Sequence, residues 1–307
     1  MKVPYLIMGV GVLMFSLSCS KSTPKQPTTT PVVLPSIMEV VKGNSDFSLL
    51  QHALEVTELD KILDANKNLT VFAPNNAAFE KINLSTSTAI EALDKDELTK
   101  ILTYHVIGEA FKASDLKDAN LQVGTLHPDA LRLFISGFNK ILINNVPVIQ
   151  ADIATANGMI HVVKDVIIPP TQTLAEIIVT RDDLTYVLSL ATATGLADDL
   201  LDGSKYFTVF APNDAAFLEQ DLVLPTDSEE VKNILLAHLT SFVVFSGNIV
   251  NNLFVDSFLP NSQLLFSIDG SDALVQIRDK TKKAKIVDSD YIATNGILHV
   301  IDKVLEP

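Results

Sequence analysis

The chain contains a single cysteine, Cys19, and no tryptophan among its 307 residues. One cysteine cannot form an intramolecular disulfide, and it cannot supply the paired thiolates of a cysteine-based zinc site. The fold must therefore be stabilised mainly by apolar cores. Hydrophobic residues make up 47% of the sequence and charged residues 20%, as in ordinary globular proteins. At this length we expect about two domains.

Basic residues are scarce relative to acidic ones. The chain has 23 lysines and arginines against 37 aspartates and glutamates, for a formal net charge of −14. Such a charge repels phosphate backbones, so nucleic acid is not an expected partner. It also opposes adsorption onto anionic lipid, so any attachment to a membrane requires a dedicated anchor.

Recognisable catalytic motifs are absent from the sequence. It contains no Gly-x-Ser-x-Gly elbow, no phosphate-binding glycine loop and no His-Glu-x-x-His pair. Asp288-Ser289-Asp290 lacks the spacing of a dedicated calcium loop, and it is interpreted as a solvated loop. We therefore expect no enzymatic activity, no cofactor and no metal ion.

The amino terminus has the layout of a secretory signal. Lys2 precedes an apolar run from Val3 to Leu17, which is shorter than the roughly 20 residues of a bilayer span. The following Ser18-Cys19 completes a segment that resembles a bacterial lipobox, in which cleavage leaves a cysteine whose thiol is acylated. The interpretation is a signal peptide over residues 1–18 and lipidation at Cys19.

A segment rich in proline and threonine follows Cys19. Residues 20–35 contain four prolines and few large apolar side chains, a composition that favours an extended linker. Residues 19–35 are thus predicted to be a lipidated cysteine and flexible tether. By resemblance to lipoprotein sorting, Ser20 in place of aspartate favours the outer membrane. The predicted location is the cell envelope, lipid-anchored and facing the periplasm or the surface.

The rest of the chain is a duplication. TVFAPNNAAF at Thr70–Phe79 recurs as TVFAPNDAAF at Thr208–Phe217, 138 residues later. NGMIHVVKDVIIP at Asn157–Pro169 recurs as NGILHVIDKVLEP at Asn295–Pro307, again 138 residues later. We therefore predict two related domains over residues 36–169 and 170–307, which we call the first and second repeats.

Each repeated block predicts local structure. Pro74 should end a strand, because proline cannot donate to a strand ladder, and Asn75 or Asn76 should cap the helix that follows. Asn157-Gly158 predicts a hairpin, because both residues tolerate positive φ. In the strand after that turn, alternate side chains should face opposite sides of the sheet.

Helical periodicity precedes the strands in both repeats. Two sets of residues follow the i, i+3, i+4, i+7 pattern of an amphipathic helix: Leu98, Ile101, Leu102 and His105, then Val231, Ile234, Leu235 and His238. The second half of each repeat is rich in short strand patterns. Helices followed by strands predict an α+β fold.

TVFAPN-x-AAF, a helix that carries histidine, and a closing NG-x₂-HV block together resemble the fasciclin domain, in both repeats and in the same order. The resemblance implies a twisted β-wedge packed against helices in each domain. It also implies adhesion outside the cytoplasm, through protein partners or glycans of the cell envelope.

The resemblance also implies candidate binding residues in the first repeat. Tyr104-His105 matches a Tyr-His motif, and Asp152-Ile153 matches an Asp-Ile motif, both proposed to act in adhesion by animal fasciclin domains. The second repeat has Ala237-His238 and Asp290-Tyr291 instead, so the first repeat is the better candidate. The alternative interpretation is structural: buried histidines, including the related pair His161 and His299, commonly hydrogen-bond the backbone.

Two functions follow from these patterns. The first is a membrane-anchored adhesion lipoprotein that binds protein or envelope partners. The alternative is a carbohydrate-binding accessory lipoprotein that captures polysaccharide, which the absence of tryptophan makes less favoured. The short connection Pro169–Thr173 predicts a restricted orientation of the repeats, and a groove between them as a place for a ligand.

Overall fold

A computed structural model describes residues 33–202, 204–218 and 227–307. Within them, Leu34–Pro307 forms one compact unit. None of the helices in this part of the chain combines the length and the apolar character needed to cross a bilayer. The predicted signal peptide, Cys19 and most of the tether lie outside the described residues.

The first repeat begins with helices and continues into a sheet. Its helices are α1 Ile37–Lys42, α2 Ser48–Val56, α3 Leu59–Ala65, α4 Asn76–Glu80, α5 Ser87–Glu91, α6 Lys95–Tyr104 and α7 Ala113–Leu116. Its strands are β1 Leu69–Pro74, β2 Val106–Ile107, β3 Asn120–Gly124, β4 Arg132–Ser136, β5 Leu142–Ile143, β6 Val146–Ala154 and β7 Gly158–Val163. The sheet order is β2-β1-β7-β6-β5-β4-β3, with β1 parallel to β7 and antiparallel pairs elsewhere.

The second repeat follows the same plan. Its helices are α8 Leu174–Val179, α9 Thr185–Ala193, α10 Leu196–Leu201, α11 Asp214–Leu218 and α12 Ser228–Ala237. Its strands are β8 Phe207–Pro212, β9 Leu239–Thr240, β10 Leu253–Asp256, β11 Gln263–Asp269, β12 Asp272–Ile277, β13 Ala284–Ala293 and β14 Gly296–Ile301. Their order, β10-β11-β12-β13-β14-β8-β9, matches the first sheet strand for strand. The two domains have the mixed helix and strand content that was predicted.

Each sheet separates two cores. In β7, Ile160 and Val162 pack with the helices, whereas Val163 packs with the strand-rich half of the repeat. His161 faces the same side as Val163 and stacks on Phe72, with ring centroids 5.8 Å apart. The predicted alternation is confirmed.

Asparagine caps the helix after the first strand in both repeats. The side-chain oxygen of Asn75 accepts a hydrogen bond from the Ala78 amide at 3.0 Å. Asn213 makes the same bond to Ala216 at 2.9 Å. Of the two residues predicted as caps, Asn75 is therefore the cap. Asn76 instead accepts a hydrogen bond from the Leu49 amide and joins α4 to α2.

The predicted Asn157-Gly158 hairpin forms between β6 and β7. Neither residue adopts the left-handed conformation. The Asn157 side chain accepts a hydrogen bond from the Ile37 amide at 2.9 Å and donates one to the Leu63 carbonyl at 2.7 Å. Gly158 is needed because a Cβ there would lie 2.2 Å from the Leu69 carbonyl oxygen. The turn therefore ties the amino-terminal helices to the sheet.

Apolar side chains from both repeats meet in a small shared cluster. Phe134 and Leu142 of the first repeat pack with Val243, Phe245 and Ile297 of the second. This cluster is separate from the cores of the individual repeats. At this contact, the predicted groove between the domains is filled by side chains.

Hydrogen bonds fix the register of the contact between the repeats. The Asn120 side chain donates to the Val243 carbonyl at 2.7 Å and accepts from the Val243 amide at 2.9 Å. The Asn248 side chain donates to the Ser136 hydroxyl at 2.7 Å. Both Ser136 and Asn248 are fully buried. The contact is thus specific as well as apolar.

The acidic segment Asp288-Ser289-Asp290 was predicted to be a solvated loop, and that prediction was wrong. The segment lies within β13, where the pairing register with β14 shifts at bulges. Its two carboxylates are engaged by neighbouring side chains and amides. The strand assignment follows from pairing with a fully buried strand, a constraint that local composition does not reveal.

Candidate functional site

Helix α6 places Tyr104 and His105 inside the first repeat. The helix is capped by Asp94, which accepts hydrogen bonds from two amides of the first turn. At the other end, His105 Nδ1 donates to the Ile101 carbonyl at 2.7 Å, and Nε2 accepts from the Ile167 amide at 2.9 Å. This arrangement requires the neutral imidazole. Burial lowers the pKa of His105 to about 4.

The second repeat reproduces the histidine site. His238 Nδ1 donates to the Ile234 carbonyl at 2.8 Å, and Nε2 accepts from the Leu305 amide at 2.9 Å. Burial lowers its pKa to about 4 as well. In both repeats the imidazole therefore joins the helix end to the closing segment of the domain.

Tyr104 acts as a polar bridge between α6 and the strands. It is fully buried; its hydroxyl donates to the Arg132 carbonyl at 2.8 Å and accepts from Asn144 Nδ2 at 2.7 Å. Burial raises the pKa of the phenol. In the second repeat, Ala237 stands at this position, and the ring of Phe266 lies beside Phe210 at 5.3 Å. In the second repeat, this aromatic ring is therefore supplied by strand β11, whereas in the first repeat Tyr104 supplies it from helix α6.

Asp152 and Ile153 lie at a bulge in β6. Asp152 has φ of 60°, and its exposed carboxylate accepts from the Ala113 amide at 2.7 Å. Its own amide donates to His161 Nδ1 at 3.3 Å, and His161 Nε2 donates to the Phe111 carbonyl at 2.9 Å. Burial lowers the pKa of His161. Ile153 packs against the helical core.

The second repeat has the same bulge in β13, at Asp290, but the residue that follows the aspartate is different. Tyr291 replaces Ile153; its ring lies under the Arg181 guanidinium at 4.8 Å, and its hydroxyl donates to Asp288. The Arg181 guanidinium also donates two hydrogen bonds to the Asp183 carboxylate. A hydrogen bond from Arg181 lowers the pKa of Asp183. A charged network thus covers the place that an apolar side chain occupies in the first repeat.

The four residues predicted to bind a partner do not form one surface. Tyr104 and His105 are buried with their polar atoms satisfied, Ile153 is partly buried, and Asp152 alone is exposed. The two pairs also have different hydrogen-bonding partners. A binding role for these residues remains a prediction.

An apolar cleft of about 340 Å³ opens in the first repeat near the end of α6. Its apolar lining includes residues of α3, α6, β1 and the loop after β3: Leu59, Ile62, Leu63, Leu69, Leu102 and Leu126. Ile62 and Leu126 remain 46% and 38% exposed at the rim. Exposed large apolar side chains around a concavity are typical of a contact site.

The corresponding place in the second repeat is occupied by two aromatic rings. Phe207 and Phe258 stand where the first repeat has Leu69 and Leu126, and their ring centroids are 5.2 Å apart. The backbone shows the correspondence, because the amides of Leu126 and Phe258 each bond the first residue of the short strand, β2 or β9. Smaller side chains thus keep this cleft open in the first repeat.

Sequence reasoning missed this cleft. The available signal was the comparison of the repeats: Ile62, at a position related to Asp199, is an apolar residue on an exposed turn of α3. The related residues Asn157 and Asn295 donate to the carbonyls of Leu63 and Leu200, respectively. Ile62 and Asp199 each precede one of these carbonyl residues and therefore occupy related positions. Among residues 33–202, 204–218 and 227–307, no group of three His, Cys, Asp or Glu side chains is placed to hold a metal ion.

Comparison with known proteins gives consistent matches. The fasciclin domain family matches residues 45–169 and 182–307. Protein sll1483 of Synechocystis sp. is 38% identical over 139 residues, which cover 44% of this chain and 74% of that protein. Transforming growth factor-beta-induced protein ig-h3 of Sus scrofa is 26% identical over 277 residues, covering 89% of this chain and 38% of that protein. Fasciclin-1 of Schistocerca americana is 26% identical over 263 residues, covering 78% of this chain and 39% of that protein.

The chain spans less than half the length of the two animal relatives. Among solved structures, a FAS1 domain pair from the insect cell adhesion molecule fasciclin I has 21% sequence identity and a TM-score of 0.40, and the match covers 84% of this chain and 97% of that one. Because the family matches both repeats over most of the described residues, this chain belongs to the fasciclin domain family and carries two such domains in tandem.

Proposed function

We propose that this chain is an adhesion and binding protein that contacts a protein partner through its first repeat, outside the cytoplasm. Membership of the fasciclin family in both halves carries the proposal. The open cleft near α6, at a place where two aromatic rings are in contact in the second repeat, supports a contact there. An apolar side chain of the partner would enter this cleft, between Ile62 and Leu126.

The experiment measures how many beads coated with the full chain are retained under flow on immobilised cell-envelope fragments. Leu126→Phe fills the cleft as in the second repeat, and Ile62→Asp places there the residue type of the second repeat. We expect each variant to reduce retention at least fivefold. Val179→Asp, which changes an exposed apolar residue of the second repeat, is the matched control. Retention unchanged by both cleft variants would contradict the proposed site.

The predicted motif residues are tested separately. Asp152→Asn keeps the acceptor for Ala113 and tolerates positive φ, but it removes the exposed charge. Asp290→Asn makes the same change in the second repeat. We propose that Asp152-Ile153 contacts the partner directly and that Tyr104-His105 positions the surrounding strands. Selective loss of retention in Asp152→Asn is the expected result.

The alternative function, capture of polysaccharide, is distinguished in the same assay. Protease treatment of the fragments should abolish retention of a protein-binding chain, whereas periodate oxidation of sugars should not. The reverse result would favour the carbohydrate-binding alternative. The first repeat offers apolar side chains at its cleft, which favours a protein partner.

We also propose lipid anchoring at Cys19 and a location in the cell envelope. Several acyl chains, each contributing about 0.8 kcal/mol per buried CH₂, would hold the chain at a membrane despite its negative charge. Incorporation of radiolabelled palmitate into the full chain, and its loss in Cys19→Ser, is the expected result. Incorporation that persists in Cys19→Ser would overturn this assignment.

A further inference from the structure

The contact between the repeats is directional. The first repeat contributes the outer side of its sheet. The second contributes residues 242–248, which lead from β9 into the following turn, together with Ile297 of β14. We call Asn120, Phe134, Ser136 and Leu142 the first acceptor face, and residues 242–248 the docking segment. Val243, Phe245 and Asn248 of the docking segment contact this face through the apolar cluster and hydrogen bonds described above.

The strand registers locate the same face on the second repeat. Ser136 pairs with Leu142, which in turn pairs with Pro147 on β6. In the second repeat, the matching ladder runs from Ser267 to Leu274 and then to Lys285, the residue 138 positions after Pro147. Ser267 and Leu274 therefore occupy the positions of Ser136 and Leu142.

The remaining two positions also have counterparts. Phe134 pairs with Gln122 on the edge strand β3, and Leu265 pairs with Phe254 on the edge strand β10. Leu265 therefore occupies the position of Phe134. Asn252 stands directly before β10, opposite Ser267, as Asn120 stands opposite Ser136. The second acceptor face is thus Asn252, Leu265, Ser267 and Leu274. Asparagine, serine and leucine recur unchanged, and leucine replaces phenylalanine.

The two faces differ in whether they are covered. Ser136 and Leu142 are 0% and 1% exposed under the docking segment. Ser267 and Leu274 are only partly buried, and Phe254 beside them is 50% exposed. An apolar surface at the edge of a sheet is typical of a site that another polypeptide covers.

We propose that the second acceptor face binds the docking segment of another fasciclin domain, as the first acceptor face does within this chain. The partner segment presents two apolar side chains two residues apart, like Val243 and Phe245, with an asparagine three residues later. The first repeat of a second copy does not fit this description. Its corresponding segment, aligned by the bonds of Thr70 and Thr208, has Ala110 and Lys112 at the apolar positions.

The test uses the full chain and a synthetic peptide with the sequence of residues 242–249. Binding of the labelled peptide is followed by fluorescence anisotropy and by chemical shifts of the Leu265 and Leu274 methyl groups. We expect Leu265→Glu with Leu274→Glu to weaken binding at least tenfold. Val179→Glu with Leu201→Glu adds the same charge at two other exposed positions of this repeat, and should leave binding unchanged.

A milder variant guards against loss of the fold. Asn252 has φ of 65°, which glycine adopts freely, so Asn252→Gly removes the side-chain amide without straining the turn. We expect it to weaken peptide binding severalfold while circular dichroism and the melting temperature stay unchanged. This variant decides the question if the double glutamate variant does not fold.

Three results would overturn the proposal. The first is the absence of peptide binding by the native chain, and the second is equal binding by the native chain and the two acceptor-face variants. The third is equal or tighter binding of a peptide with the sequence of residues 109–116, which would identify a second copy of this chain as the occupant. All three are independent of the first-repeat cleft, because the variants lie in the second repeat and both peptides are probes that leave the cleft residues of the chain unchanged.

Discussion

His105 and His238 make the same two backbone hydrogen bonds, and Asn157 and Asn295 make the same bonds to the helices of their own repeats. The surfaces of the two repeats do not correspond in this way. Leu126 borders an open cleft where Phe258 packs on another ring. The comparison teaches that the buried histidine and asparagine framework was retained through the duplication, whereas the Tyr104 bridge and the surfaces diverged.

The physical reason lies in the cost of an unpaired buried group. Removing one partner of a buried hydrogen bond costs about 1–3 kcal/mol, so each member of the framework depends on the others. A surface side chain carries no such penalty, and changes of about 0.5 kcal/mol or less are usual there. Four experiments test this contrast.

The largest effect is expected from removing a framework histidine. His105→Ala should lower the free energy of unfolding by about 4 kcal/mol, because it leaves a cavity and an unpaired Ile167 amide. His238→Ala should have an effect of the same size. Urea denaturation measures both, with His52→Ala as a control that should cost under about 1 kcal/mol. A clear difference between the two repeats would show that their frameworks are not equivalent.

Acid should destabilise both repeats through the same histidines. Their pKa of about 4 in the folded chain lies below the ordinary value of 6.5, so the unfolded chain binds protons first as the pH falls. Stability is complete above pH 6.5 and is lost progressively down to about pH 4. At about pH 5 the loss should be roughly 2 kcal/mol for each histidine, relative to neutral pH. A urea midpoint that is constant over this range would contradict the neutral, buried assignment.

A smaller effect is expected at the contact between the repeats. Asn248→Ala removes two hydrogen bonds to Ser136 and should lower the free energy of unfolding by about 2 kcal/mol. Because it weakens the contact, thermal unfolding should broaden or separate into two transitions. Asp115, at the related position in the first repeat, is exposed, and Asp115→Ala should cost under about 1 kcal/mol. Equal effects of the two variants would contradict a specific contact.

The smallest effect is expected where the repeats differ at the bulge. Tyr291→Ile gives the second repeat the residue of the first, and it removes the contact with Arg181 and the hydrogen bond to Asp288. The expected loss is about 1 kcal/mol, since the site is partly exposed to solvent. Tyr291→Phe should lose less because it keeps the ring. Thermal melting at low and high salt measures both, and an unchanged melting temperature in Tyr291→Ile would show that the network adds no stability.

Much of the fold could be predicted because its signals are local or repeated. Alternation after Gly158 assigned Ile160 to one core and His161 to the other, and Asn75 was among the predicted caps. The internal repetition was informative because two occurrences of one block at a constant spacing limit the topology. The interpretation of His105 as a structural residue rested on its place at the end of an apolar helical face.

The errors and omissions concern residues whose role depends on distant parts of the chain. Asn157 was predicted from its turn propensity, but its function is to bond Ile37 and Leu63, which are far away in sequence. Asp288 was assigned to a loop from its composition, although pairing with β14 holds it in a strand. The cleft at Ile62 was not predicted, because an empty volume depends on side chains from several elements.

The sequence by itself determined the duplication, the family and the division of each repeat into helices and strands, because those properties follow from periodic patterns along the chain. Only the tertiary structure decided that Phe134 is fully buried while its counterpart Leu265 is partly buried, and that Leu126 borders an open cleft while Phe258 packs on Phe207. The reason is that coverage depends on which surfaces meet in space, and residues such as Asn120 and Val243, more than a hundred positions apart, become partners only when the chain is folded.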